Sequence, residues 1–391
     1  MKTKAVFRAL TAVCCAVLAA GSCGNPWMEK VVDPLFDDGT GPVPVPAFEA
    51  FYFDIGGKHY GAGDGALAGT GNINKVTLTV TVIVPGTAAL HSLPAPVTAA
   101  GPAGAVVSPA GGTDFSGSRT YTVTANGLSR AYTVTVKQAG LIGDGTYAAE
   151  DELRARIAGA SPGETLILAG TFPVRSGPNS IFIDKAITIL APPGGTLTFK
   201  QESVSLFYGK VFEVRAGGSL TLGGAGSGSM VFEGQASYSE PFVSILKDGF
   251  FTMNEGVTMQ NNTTHSAMAA ALEIRGTAVI NGGTITNCSA NKGGDSAPIY
   301  LGSSDGGITG ASLTINGGLI TGNFGVNSGG SIMLRDDANH FLEWNGGTIT
   351  NNIPNHYTPP DGYGSIYIQD EFPFDIPNHT HDIDLHGNTA D

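Results

Sequence analysis

The sequence predicts an all-β chain: an antiparallel β-sandwich, then a short capping helix, then a parallel β-helix. Three observations carry that reading. A motif recurs towards the C-terminal end, Asn281-Gly-Gly-Thr-Ile-Thr286, Asn316-Gly-Gly-Leu-Ile-Thr321 and Asn345-Gly-Gly-Thr-Ile-Thr350, with a looser copy at residues 255–262. The polar position that closes each copy falls at Asn262, Cys288, Asn323, Asn352 and Asn388, separated by 26, 35, 29 and 36 residues. That period suits one solenoid coil per repeat. Composition agrees, because charged residues make up only 14% and glycine supplies 57 of 391 positions, as many short strands and tight turns require.

Apolar pairs at period two place side chains on one face of a strand. Ala278 and Ile280, Leu313 and Ile315, and Leu342 and Trp344 precede the motif; Leu272 and Ile274, Ile299 and Leu301, and Ile332 and Leu334 lie further upstream. Ile285, Ile320 and Ile349 follow the glycines. Three inward-facing strands per turn make a triangular tube, with glycine at the corners where φ is positive. The closing Asn, Cys288 included, stacks as a ladder along the axis, and the chain then enters a loop. Counted this way there are roughly eight coils, a tube about 40 Å long at a strand spacing of about 4.8 Å.

Residues 1–23 have the form of an export signal: Lys2, Lys4 and Arg8, an apolar run, then Gly21-Ser22-Cys23. Ala20-Gly21-Ser22-Cys23 resembles the lipobox of bacterial lipoproteins, with Ala20 where leucine is usual, and the resemblance implies lipidation at Cys23. Ordinary cleavage and secretion is the other reading. Residues 24–47 are a Pro/Gly-rich linker, a semi-rigid spacer. If Cys23 is lipidated, Cys288 is left without a disulfide partner and acts as a small buried filler.

Residues 48–138 hold alternating β-branched and aromatic strands separated by Gly/Pro turns, such as Val76–Val84 and Tyr132–Val136. The run from Val107 to Ser116, followed by two Tyr-Thr-Val-Thr strands, resembles the immunoglobulin-like or cadherin-like modules of bacterial surface lipoproteins. That resemblance implies a spacer or interaction module.

The β-helix is expected to span residues 141–391. In residues 148–158, Ala149, Leu153, Ile157 and Ala158 share a helical face. With the Ser161-Pro-Gly-Glu turn, the strand at 165–168 and Gly-Thr-Phe172, this helix resembles the N-terminal cap of right-handed pectate-lyase-like β-helices. A cap is physically required, since the first coil has open edges.

The pectate-lyase resemblance raises polysaccharide cleavage, by a lyase or a glycoside hydrolase, which needs carboxylates converging from neighbouring coils. Asp295, Asp305, Asp336, Asp337, Glu343 and Asp361 stand at no fixed offset, so no catalytic residue, metal site or cofactor is assigned. Asp336 and Asp337 read as a solvated corner or a surface calcium site. His356, Tyr357 and Tyr363 form the residue mix that stacks on sugar rings, or else a Pro-stiffened turn.

With net charge −13, nucleic acid is an unfavourable partner. The Gly-Gly-Thr-Ile repeats resemble those of bacterial surface and adhesin-like proteins. The combined expectation is a non-catalytic, lipid-anchored protein of the cell envelope, at the surface or periplasmic face of an outer membrane. Its β-helix loops would contact glycan or a host surface protein.

Overall fold

The computed structural model describes residues 44–175, 180–202, 210–235, 240–265, 267–291, 296–302, 310–326, 330–335 and 340–353, and the backbone of 354–355, 366–368 and 382–384. It is mostly β, with two small N-terminal sheets, one helix and a parallel solenoid.

Eight strands build the N-terminal sheets: β1 (Ala47–Ile55), β2 (Lys58–Ala62), β3 (Gly71–Asn74), β4 (Thr79–Pro85), β5 (Val97–Gly101), β6 (Val106–Ser108), β7 (Arg119–Ala125) and β8 (Leu128–Ala139). One sheet has the order β2-β1-β5, the other β3-β4-β8-β7-β6. The two face each other through aromatic edges, with Phe51 5.2 Å from Tyr121 and Phe48 5.0 Å from Tyr132 between ring centroids. Edge-on packing suits the ring quadrupoles and buries large side chains at a small cost in rotamer entropy. The sheets depart from pure antiparallel order at one place: β4 pairs β8 in parallel from Thr79↔Thr133 to Pro85↔Ala139. Residues 86–127 form the long crossover that a parallel pair needs.

After β9 (Leu141–Asp144) comes α1 (Tyr147–Ala158), capped at its N-terminus by Thr146. It buries Ala149, Leu153 and Ile157 against the first coil. Ala158 is exposed, and Glu150 is buried in its place. The sequence pattern missed Glu150 because a carboxylate goes inside only when paired, and both its partners, Arg154 and Arg175, surround it.

β10 (Glu164–Arg175) bends mid-strand, so that its first half pairs with Ala186–Leu190 and its second with Thr196–Glu202. From it grow three parallel walls. The first wall continues through Ser219–Leu222, Phe250–Met253, Thr277–Ile280, Ser312–Ile315 and Phe341–Trp344 to Asp382–Asp384. The second runs through Ser229–Glu233, Val257–Gln260, Thr284–Thr286 and Leu319–Thr321 to Thr348–Thr350. The third begins at Ile181–Ile183 and ends at Ile366–Ile368. Ile285 pairs with Ile320 and Ile320 with Ile349, all three buried, so the interior is one aliphatic column.

Two expectations are corrected. There are about six turns, roughly 29 Å of tube at a strand spacing of about 4.8 Å, since the seven strands of the third wall are separated by six steps. The later coils are also four-sided: short strands Thr263–Thr264, Ser289–Ala290, Phe324–Val326 and Ile353–Asn355 stack where loops were expected. The second glycine of each motif explains the repeat. Gly283, Gly318 and Gly347 have φ of +86°, +96° and +89°. A Cβ on Gly318 would stand 2.8 Å from the Gly283 carbonyl oxygen of the adjoining coil, so both conformation and space demand glycine.

The N-terminal sheets sit on the first coils. Ile83, Ala139 and Ala169 bury one another, and Thr196 N donates to Gly69 O at 3.1 Å.

Candidate functional site

Two ladders run along the tube. In the buried one, Asn323 Nδ2 donates to Asn352 Oδ1 (3.0 Å) and to Ile285 O (2.9 Å), while Asn352 Nδ2 donates to Ile320 O (3.0 Å). Cys288 N donates to Asn323 Oδ1 at 3.0 Å, and its thiol faces Thr286 O and Met259 O. Met259, Ile285 and Ile320 occupy one register column, so the sulfur takes the place of an asparagine amide. Burial pushes the Cys288 thiol up to about 12, against a smaller opposing effect of the Asn262 N–H; a thiol so disfavoured as thiolate is a poor nucleophile. Asn262 Nδ2 donates to Ala270 O and Glu240 O. The second ladder is exposed: Asn345, Asn316 and Asn281 each donate from Nδ2 to the Oδ1 of the preceding coil's asparagine, ending on Asn254.

On the outer face of the third wall, sequence reading missed a pair of acids. Glu213 and Glu273 occupy the same outward position two coils apart, with Ser244 between them in register. Lys210 Nζ bridges them, 3.7 Å from Glu213 Oε2 and 3.6 Å from Glu273 Oε2. Arg215 Nε donates to Glu213 Oε1 (3.0 Å), Arg275 Nη2 to Glu273 Oε1 (2.8 Å) and Ser244 Oγ to Glu273 Oε2 (2.8 Å). All four carboxylate oxygens therefore face protein donors. The arrangement compensates charge across three coils; a general acid with a facing base needs carboxyls directed at substrate. The signal that could have found them is the triplet apolar-Glu-apolar, in Phe212-Glu-Val214 and Leu272-Glu-Ile274.

The described residues also form a cleft of about 370 Å³ in the N-terminal module. Its walls include Phe48 and Glu49 of β1, Leu67 of the β2–β3 loop, and Asn72 and Ile73 of β3, with Lys75 at the rim. The loop is built rather than slack. Buried Thr70 accepts from Gly61 N (3.0 Å) and donates to Leu67 O (2.6 Å), and Leu67 N donates to His59 O (2.7 Å). Asn74 Oδ1 accepts from Val76 N and Thr77 N, fixing the turn that carries Lys75. The lining residues of this one concavity include an acid, an amide and a lysine, Glu49, Asn72 and Lys75, residue types suited to a polyhydroxylated ligand.

Among the described residues no group of three or more His, Cys, Asp and Glu could hold a metal ion, and no helix is long and apolar enough to cross a membrane. Cys23, Asn388, Asp336, Asp337, His356, Tyr357 and Tyr363 lie outside the described residues.

No curated protein matches the chain. A family model described as SGBP, N-terminal, the amino-terminal domain of surface glycan-binding proteins, matches residues 65–136. The match covers most of the module read from sequence as immunoglobulin-like or cadherin-like, and it includes the cleft wall from Ala66 to Lys75. By this likeness the chain joins an SGBP-type amino-terminal domain to a parallel β-solenoid.

Proposed function

We propose that this protein binds glycan at the cell surface without cleaving it. The observation that carries the reading is the overlap between the SGBP-type stretch and the polar cleft. In the same proposal, Cys23 carries a lipid, residues 24–47 hold the folded part away from an outer membrane, and the solenoid extends the display. The loop residues His356, Tyr357, Tyr363, Asp336 and Asp337 add contacts to glycan or to a host surface protein, which gives the protein an adhesive role.

A glycan array followed by affinity electrophoresis tests the binding, with the Glu49→Ala, Asn72→Ala double variant as control. Binding by the parent and a loss of about tenfold in the variant, the worth of one or two well-placed hydrogen bonds, supports the cleft. Equal binding by both moves the site elsewhere. Silence across the array removes the reading, and release of reducing ends from a bound glycan removes the non-catalytic part. Detergent-phase partitioning that persists in Cys23→Ser removes the anchor.

A further inference from the structure

The outer face of the solenoid's first wall has a composition unlike the rest of the tube. Strand alternation puts positions 250, 252 and 254 on one side, and the register carries these positions into three columns along the axis. The first column is Phe250, Thr277, Ser312 and Phe341. The second holds Thr252, Val279 and Thr314. The third is the exposed asparagine ladder at the corner, from Asn254 to Asn345. No basic residue enters any column; Glu343, at the far end of the second, and Asp382, in register with Phe341 at the end of the first, are both acidic.

Phe250 is 52% exposed, an outlay of apolar surface that a water-facing wall does not need. Phe341 is half-buried and stands three strand steps away in the same column, or about 14 Å at a spacing of about 4.8 Å. Between the two rings lie only the hydroxyls of Thr277 and Ser312. Alongside them, the exposed amides of Asn281 and Asn316 each use one N–H and the oxygen on neighbouring coils, and an amide has a second N–H to donate.

We infer that this wall is a binding track for one extended neutral polysaccharide lying parallel to the tube axis. Pyranose rings stack on Phe250 and Phe341, and their hydroxyls bond Thr277, Ser312 and the amides of Asn281 and Asn316. A pyranose presents an apolar face to an aromatic ring and a rim of hydroxyls to amides. A sugar residue in an extended chain advances by roughly one strand step of about 4.8 Å, so four consecutive residues reach from one phenylalanine to the other. The absence of basic residues from these columns, with acids at their far end and a net charge of −13 on the chain, selects against uronate polymers and favours a neutral one. The inference rests on the glycan-binding reading and names a second, separate surface for it.

The experiment uses the whole chain and a ladder of neutral oligosaccharides, from trisaccharide to hexasaccharide, in the cello-, manno- and xylo- series, titrated calorimetrically. The expected result, in at least one series, is a step in affinity between the trisaccharide and the tetrasaccharide. Phe250→Ala and Phe341→Ala should each reduce tetrasaccharide affinity about three- to tenfold and abolish the length step, with the thermal melt of Phe250→Ala unchanged. A parent that binds glycan with no length step, or with affinity unmoved by both substitutions, overturns the track while leaving the cleft reading intact. A parent that binds none of the series and nothing on the array overturns both. A change of oligomeric state in Phe250→Ala without a change in sugar affinity assigns the face to a second copy of the chain instead.

Discussion

Lys58 on β2 donates from Nζ to Asp144 Oδ2 on β9 at 2.6 Å, so one ion pair ties the N-terminal sheets to the strand that edges the first coil. Asp144 also accepts from the N–H and hydroxyl of Thr146, the residue that caps α1. A single carboxylate thus meets the sheet module, the solenoid edge and the capping helix.

Burial pushes the Asp144 carboxyl up, but the Lys58 ammonium and the two Thr146 donors together outweigh it and hold it below the usual carboxylate range. The Asp144 bond raises Lys58. A depressed acid contributes stability above its unfolded value and loses it as pH falls through the folded one. The raised lysine contributes below its unfolded value and loses that contribution as pH rises through its folded one. Lys58→Met should therefore lower stability by about 0.2–1 kcal/mol at neutral pH, as suits a half-exposed pair. Thermal melts should show the gap closing in acid, below about pH 3.9, and again in strong alkali. A gap that widened in acid would contradict the assignment.

Glu150 has no exposed side-chain surface, and its carboxylate accepts from Arg154 Nε (3.0 Å), Arg175 Nε (2.6 Å) and Arg175 N (3.2 Å). Removing one member of a buried charge pair typically costs about 3–5 kcal/mol. Denaturant melts of Glu150→Ala should show a loss of that size, and amide exchange should rise first in β10. A change below about 0.5 kcal/mol would mean water replaces the carboxylate freely.

Cys288 sits in a column of asparagines, and its thiol makes only weak contacts with the carbonyls it faces. Cys288→Asn should stabilise the protein by about 0.5–1.5 kcal/mol, the net worth of a hydrogen bond, because the neighbouring coils already accommodate asparagine. The parent thiol should resist iodoacetamide at pH 8 in the native state and react fully in denaturant. Native-state labelling would show that this ladder opens.

The glycine corners offer a paired test. Gly217 has φ of +77° with open space around it, whereas Gly318 has φ of +96° and a carbonyl of the adjoining coil in the way. Gly217→Ala should cost about 1–2 kcal/mol for the left-handed backbone, and Gly318→Ala clearly more. Equal costs in denaturant melts would mean the coils separate easily at that corner.

The interior was legible in sequence because inward positions obey one rule. Ile285, Ile320 and Ile349 must all be apolar, and the glycines beside them must all be glycine. Outward positions obey no shared rule, and their partners appear only once register is known. Glu213 and Glu273 sit in similar segments, Phe212-Glu-Val-Arg215 and Leu272-Glu-Ile-Arg275, but only the register through Ser244 puts them in one column, and Phe250 and Phe341 belong to one column only through Thr277 and Ser312. The fourth wall was missed because strands as short as Thr263–Thr264 and Ser289–Ala290 carry too little alternation to register. The parallel β4–β8 pair was missed because nothing local distinguishes it from a hairpin strand.

The seat of α1 over the first coil has a further effect. A parallel solenoid is a stack of identical steps, so two bare ends on separate molecules could join and continue into a fibre. With Leu153 and Ile157 plugging one mouth and β9 occupying the adjoining edge, that mouth offers no template. Head-to-tail polymer growth needs both mouths open, so this one stopper is enough to keep the molecule finite in length.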